Sequence, residues 1–96
     1  MIECLITYDV NTQTREGERR LRLVAQACEG VGDRVQKSVF EFRCAEAQLV
    51  KLLHQLVQII DERDSIRIYR LAAGSLDRTQ DLGAEVQRQP RGARIF

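Results

Sequence analysis

The change of apolar period along the chain constrains the fold most, because a two-residue repeat presents one face only as a strand and a 3.6-residue repeat only as a helix. Residues 2–8, Ile-Glu-Cys-Leu-Ile-Thr-Tyr, are rich in β-branched and aromatic types and contain no turn residue. The run is too short for a free-standing helix and predicts a first strand. Asp9-Val10-Asn11-Thr12 then supplies turn chemistry and several candidate N-caps. Leu21, Val24, Ala25, Cys28 and Val31 follow at helical spacing, which predicts an amphipathic helix over residues 15–30, ended by Gly30 and Gly32. From Arg34 to Cys44 the pattern alternates through Val35, Lys37, Val39 and Glu41, yet Phe40 and Phe42 fall on the opposite parity. A face shift near Ser38-Val39 means either two short strands at a tight turn or one long strand with a bulge. Leu49, Val50, Leu53, Leu56, Val57 and Ile60 lay a wide apolar stripe on a second helix, residues 45–61, with Glu46 near its start. Glu62-Arg63-Asp64 is a polar break, and Ser65 to Leu71 is the last strand.

Strand, helix, strand, strand, helix, strand is the order of an α+β, ferredoxin-like βαββαβ domain with both helices on one face of an antiparallel sheet. Residues 1–74 are expected to form that domain. Residues 75–96 carry few apolar side chains, include the single proline, Pro90, and close on Arg94-Ile95-Phe96. This predicts a C-terminal extended arm for dimer or partner contacts, adding a strand to a partner protomer's sheet or folding as another protein docks; a frayed tail is the alternative. A 96-residue chain buries only about two-thirds of its unfolded surface, so pairing with a second copy would help it.

Basic and acidic residues nearly balance, 15 against 14, so overall charge does not announce nucleic acid. Thirteen of the fifteen cations are Arg, however, and only Lys37 and Lys51 are Lys, which favours the planar donor suited to phosphate; a GC-rich genome raises Arg equally well. Cys4, Cys28 and Cys44 fit no metal or redox spacing and read as reduced core thiols. No basic n-region or long apolar run opens the chain, so no membrane association and a cytoplasmic location are expected. P-loop, His-Glu-x-x-His and Gly-x-Ser-x-Gly motifs are absent. His54 lies alone in the second helix and reads as a surface or core-edge residue.

Asp9 is the more informative residue. It ends the first strand, where a sheet can present a carboxylate at its rim, and Arg15, Arg19, Arg20 and Arg22 follow it. An Asx-turn or helix N-cap is the plain alternative. Mg²⁺ binds through as few as one or two carboxylates, keeping waters and taking phosphate oxygens from a substrate, and a two-fold axis would bring a second Asp9.

Tyr8-Asp9-Val10, Gly17-x-Arg19-Arg20-Leu21 and above all Gly32-x-Arg34-Val35-Gln36-x-Ser38-Val39-Phe40-Glu41 closely resemble the second core family of CRISPR-associated proteins, the small metal-dependent endonucleases of spacer acquisition. The likeness runs in order over residues 2 to about 71. The resemblance implies a two-fold homodimer and a divalent-metal site, Mg²⁺ with Mn²⁺ as substitute, formed by Asp9 from both subunits. It also implies a partner, the CRISPR-associated integrase subunit. Members of the family are described as cutting single-stranded RNA or double-stranded DNA, and in some the nuclease is dispensable for acquisition.

One functional expectation is therefore a Mg²⁺-dependent endonuclease: Asp9 is catalytic and holds the metal, Arg19, Arg20 and Arg34 position the phosphate backbone of DNA or RNA, and Tyr8 and Phe40 support the rim. Another is a non-catalytic DNA-binding adaptor bridging integrase dimers. A regulatory ferredoxin-like domain binding a small ligand is the third. Each Arg also has a plain use: Arg34 in pairing with Glu41 or Asp33, Arg20 or Arg22 in solvating a helix face.

Overall fold

The computed structural model describes residues 1–83. The first alternating run forms β1 (Ile2–Asp9), and the first helical run forms α1 (Arg15–Glu29). Thr14 caps α1, its Oγ1 accepting from the Gly17 N–H at 3.0 Å, and Glu16 and Glu18 lie in the first turn where the helix dipole favours anions. None of Asp9, Asn11 or Thr12 is the cap: β1 runs to Asp9, and Asn11 uses its side-chain oxygen to accept from the Gln13 N–H at 3.1 Å. Gly30 ends the helix as expected, in right-handed rather than left-handed backbone.

The face shift between Arg34 and Cys44 proves to be both a turn and a bulge. β2 (Asp33–Gln36) and β3 (Val39–Cys44) meet at a tight turn, Lys37-Ser38, and their register slips between Arg34 and Gln36. The turn and the slip break the alternation begun at Val35, so that β3 turns Phe40 and Phe42, which share a face by the strand period, into the core, where both are fully buried. α2 (Glu46–Ile59) follows, with the Gln48 side chain reaching back to the Ala45 N–H at 2.9 Å, and β4 (Ser65–Leu71) completes the sheet. The strand order is β2-β3-β1-β4 with every pair antiparallel, as the ferredoxin-like arrangement requires.

Both helices cover one face. Cys4, Ile6 and Tyr8 of β1 and Phe40, Phe42 and Cys44 of β3 meet Val24 and Cys28 of α1 and Leu49, Leu52 and Leu56 of α2. Each fully buried large apolar side chain here contributes about 1.5–3 kcal/mol, more than an exposed ion pair does. The stripe on α2 is narrower than its composition suggests. Val50 and Val57 are 46% and 68% exposed, because Leu49, Leu52 and Leu56 form the face turned to the sheet and the outer shoulder has no layer above it among the described residues. Burial pushes the Cys4 thiol up to about 11 and the Cys28 thiol up to about 12, so both stay protonated.

Beyond β4 the chain does not leave the domain at once. Glu3 accepts the backbone N–H groups of Gly74 and Leu76 at 2.7 and 2.8 Å, Arg43 pairs with Asp77, and a 3₁₀ turn (Leu76–Arg78) buries Leu76. Glu3 and Arg43 are register partners on the face away from the helices, so residues 74–78 turn across that face. The remainder of the expected arm, residues 84–96 with Pro90 and Arg94-Ile95-Phe96, lies outside the described residues. No helix among the described residues is long and apolar enough to cross a membrane.

Candidate functional site at the rim of the sheet

In this topology the end of β1, the β2–β3 turn and the start of β4 share one rim. Asp9 pairs with Ser65, and the Tyr8 N–H donates to the Ser38 carbonyl at 3.1 Å, which brings the Lys37-Ser38 turn alongside. Glu3, Leu5, Thr7 and Asp9 share the parity opposite to buried Cys4, Ile6 and Tyr8. The Asp9 carboxylate therefore belongs to the face away from α1 and α2. It is exposed, and among the described residues it accepts no hydrogen bond and joins no ion pair. Neither the Asx-turn nor the N-cap role is filled by it.

Tyr8, Arg34 and Phe40 come together on the other face. The Arg34 guanidinium lies 5.3 Å from the Phe40 ring centre and donates through Nη2 to the Tyr8 hydroxyl at 3.4 Å, while the Tyr8 and Phe40 rings stack at 6.1 Å. Burial pushes the Tyr8 phenol upward, with Arg34 opposing it. The register places Arg34 opposite Phe40, and Asp33 and Glu41 opposite one another, so Arg34 and those two acids point to different faces. Its Nε is buried without a hydrogen-bond partner among the described residues. This is an Arg packed as a rim of the core, sealing the end of an aromatic pair.

Arg19 and Arg20 separate. Arg19 is exposed on α1 and lines a shallow surface depression with Arg15 and Arg22, at i−4 and i+3, and with Glu16 and Glu18. Arg20 points inward: Nε lies 2.7 Å from Asp64 Oδ2, Nη2 donates to the Asn11 carbonyl at 3.3 Å, and Nη1 pairs with Asp61 at 3.2 Å. Asp64, whose side chain is fully buried, also accepts the Asn11 N–H and the Asp61 N–H, each at 3.0 Å. Burial pushes the Asp64 carboxyl up, but the hydrogen bonds from Arg20, Asp61 and Asn11 outweigh it and hold it below the ordinary carboxylate range. Gly17 makes the arrangement sterically possible, since a Cβ there would stand 2.0 Å from the Asn11 carbonyl oxygen.

The rim and its ordered motifs are those of a known family. The family model described as CRISPR associated protein Cas2 matches residues 1–79. The chain belongs to that family. It is 53% identical over 83 residues to a protein of Moorella thermoacetica named CRISPR-associated endoribonuclease Cas2 1, covering 85% of this chain and 86% of that one. It is 48% identical over 82 residues to the CRISPR-associated endonuclease Cas2 of Halalkalibacterium halodurans, covering 84% and 85%. Among solved structures, Streptococcus pyogenes Cas2 at pH 6.5 superposes with a TM-score of 0.76 at 50% identity, covering 84% of this chain and 99% of that one. A chain of a partial Cas6-RT-Cas1–Cas2 complex superposes with a TM-score of 0.58 at 27% identity, covering 85% and 91%.

In this Cas2-family chain, two features of the rim were not singled out from the sequence: the Asp64 and Asp61 carboxylates and the position of Lys37. The available signal was topological. Glu62-Arg63-Asp64 immediately precedes the strand that pairs with β1, so an acid there necessarily arrives beside the loop that follows Asp9. No cluster of three or more potential metal ligands occurs among the described residues of one chain. The donor chemistry nevertheless suits a hard cation, because Asp9 is an accessible, unengaged carboxylate and Mg²⁺ accepts one or two such groups with water and phosphate oxygens completing its shell.

Proposed function

We propose that this Cas2-family chain acts in CRISPR spacer acquisition as a homodimeric, Mg²⁺-dependent endonuclease subunit working with an integrase. The observation that carries the reading is the place of Asp9: an exposed carboxylate with no partner among the described residues, at the strand end and on the face of the sheet away from α1 and α2. Stacking two such faces about a two-fold axis covers a surface that includes half-exposed Tyr69 and gives the site its second carboxylate. Asp9 of each protomer would hold the metal, with Mn²⁺ able to replace Mg²⁺; when bound, the ion supplies an activated water and neutralises charge on a phosphodiester. Exposed Arg19, with Arg15 and Arg22, holds the phosphate backbone of a DNA or RNA strand without reading bases. Arg34, with Tyr8 and Phe40, keeps the β2–β3 turn and Lys37 at the rim.

The names of the relatives as endoribonuclease and endonuclease support phosphodiester cleavage, and the structural likeness to a chain of a Cas1–Cas2 complex supports an integrase partner. A second reading, a non-catalytic adaptor that binds duplex DNA, is favoured by the grouping of Arg15, Arg19 and Arg22 on α1. Asp9→Asn decides between them: loss of Mg²⁺- or Mn²⁺-dependent cleavage supports the nuclease, while spacer acquisition that continues undiminished in cells carrying this substitution assigns the acquisition role to binding alone. Light scattering that finds only the 11.0 kDa monomer at micromolar concentration refutes the shared site.

A further inference from the structure

Among the described residues, Asp64 is a fully buried carboxylate joined to Arg20, and the proposed chemistry uses neither. It binds three segments together: Asn11 of the loop after β1, Arg20 of α1, and Asp61 of the turn before β4. Asn11 stands two residues after Asp9, and Asp64 immediately precedes Ser65, the register partner of Asp9. The network therefore holds the chain two residues beyond the candidate metal ligand and one residue before its partner across the sheet. A pair whose only task was to anchor α1 to the domain could sit anywhere along the helix. This one holds the two peptide groups that flank Asn11, with Asp64 accepting the Asn11 N–H and Arg20 donating to the Asn11 carbonyl.

We propose that Arg20 and Asp64 are positioning residues that hold the Asp9 carboxylate in its metal-binding place, and that Arg20 is not a contact to nucleic-acid phosphate. The inference rests on the reading of Asp9 as metal ligand. Arg20 has Nε, Nη1 and Nη2 all engaged by oxygen within the protein, and its side chain is 12% exposed, whereas Arg19 beside it is exposed. A guanidinium so arranged would have to break an internal ion pair with a fully buried acid before reaching a phosphate. Arg and Lys are also not equivalent here, because the fork spans Asp64 and the Asn11 carbonyl together and an ammonium reaches fewer of these acceptors at once.

The test uses the full chain with Arg20→Ala, Arg20→Lys, Asp64→Asn and Asp9→Asn. Mn²⁺ alone is titrated by electron paramagnetic resonance, and amide exchange is followed at Asp9, Val10 and Ser65, at temperatures where each variant keeps its native circular dichroism. The expected result is Mn²⁺ binding weakened by about tenfold or more in Arg20→Ala and Asp64→Asn, as for loss of groups that orient a ligand, with faster exchange at those amides. Arg20→Lys should recover part of the loss. Nucleic-acid affinity measured in chelator, and its salt slope, should stay as in the parent protein. The proposal is overturned if Asp9→Asn loses Mn²⁺ while Arg20→Ala and Arg20→Lys bind it at full strength. It is equally overturned if Arg20→Ala lowers the salt slope by about one unit, which marks a phosphate contact. Parental Mn²⁺ binding by Asp9→Asn refutes the metal reading itself, and the positioning role falls with it. If Asp64→Asn does not fold, the two Arg20 variants carry the same outcomes.

Discussion

Gly17→Ala sets two effects of opposite sign against each other. Gly17 lies in the first turn of α1, and helix propensity alone makes Ala there more favourable by about 0.8–1 kcal/mol. The structure reverses that sign. The new Cβ would stand 2.0 Å from the Asn11 carbonyl oxygen, 3.0 Å from the Asn11 carbonyl carbon and 3.2 Å from Thr12 Cα. All three are backbone atoms that cannot rotate away, and an ordinary contact needs roughly another ångström or more between Cβ and that oxygen. Asn11 must therefore move. Its carbonyl accepts from Arg20 at 3.3 Å, close to the limit for a hydrogen bond, and its N–H donates to Asp64 at 3.0 Å. Losing two hydrogen bonds to charged groups costs about 1.5–3 kcal/mol each, so after the propensity gain the substitution should destabilise by about 2–5 kcal/mol. Urea denaturation at a fixed protein concentration, followed by circular dichroism, measures this as a lower midpoint at unchanged slope. A variant as stable as the parent, or more so, would show that the loop moves freely and would remove the steric basis for a held Asp9.

The Glu3 carboxyl is held below the ordinary carboxylate range first by the Leu76 N–H and next by the Gly74 N–H. Its folded value lies below its unfolded one, so its contribution to stability is present above the unfolded value of about 4.3 and is lost as pH falls through the folded value. Glu3→Gln should flatten that acid limb and speed amide exchange at Gly74 and Leu76; an unchanged limb would sink the assignment. Arg34→Ala removes a partly desolvated cation–π contact worth about 1–2 kcal/mol and a long hydrogen bond, but it also relieves the buried Nε, so a net loss of about 1 kcal/mol is expected by denaturation. A loss above about 3 kcal/mol would mean that Arg34 supports far more than the rim of the core. Arg19→Ala should lower the salt slope of nucleic-acid affinity by about one unit and leave stability within about 0.5 kcal/mol, read by filter binding across a salt series and by thermal melting. A sequence-selective loss of binding would instead assign Arg19 to base edges.

Much of this protein is set by local pattern. The two periods of apolar residues determine six elements and their order, and that order leaves an antiparallel sheet with helices on one side as its compact arrangement, because each helix has one apolar stripe and must bury it against the sheet. Motif residues are legible for the same reason: Asp9 at a strand end and the run from Gly32 to Glu41 lie at a turn and rim that local chemistry already marks. What spacing could not decide is which way a side chain faces once a bulge or helix shoulder intervenes. Phe40 and Phe42 share a face by the period of β3, but that this face is the buried one is decided by the turn and the β2–β3 register slip that break the alternation begun at Val35, and Val57 lies outside the core because the sheet reaches only one side of α2. The four arginines of α1 look alike in sequence. Tertiary structure alone separates them, since Asp64, 44 residues beyond Arg20, arrives beside it when β4 pairs with β1, and that buried carboxylate draws one guanidinium inward while Arg15, Arg19 and Arg22 stay in water.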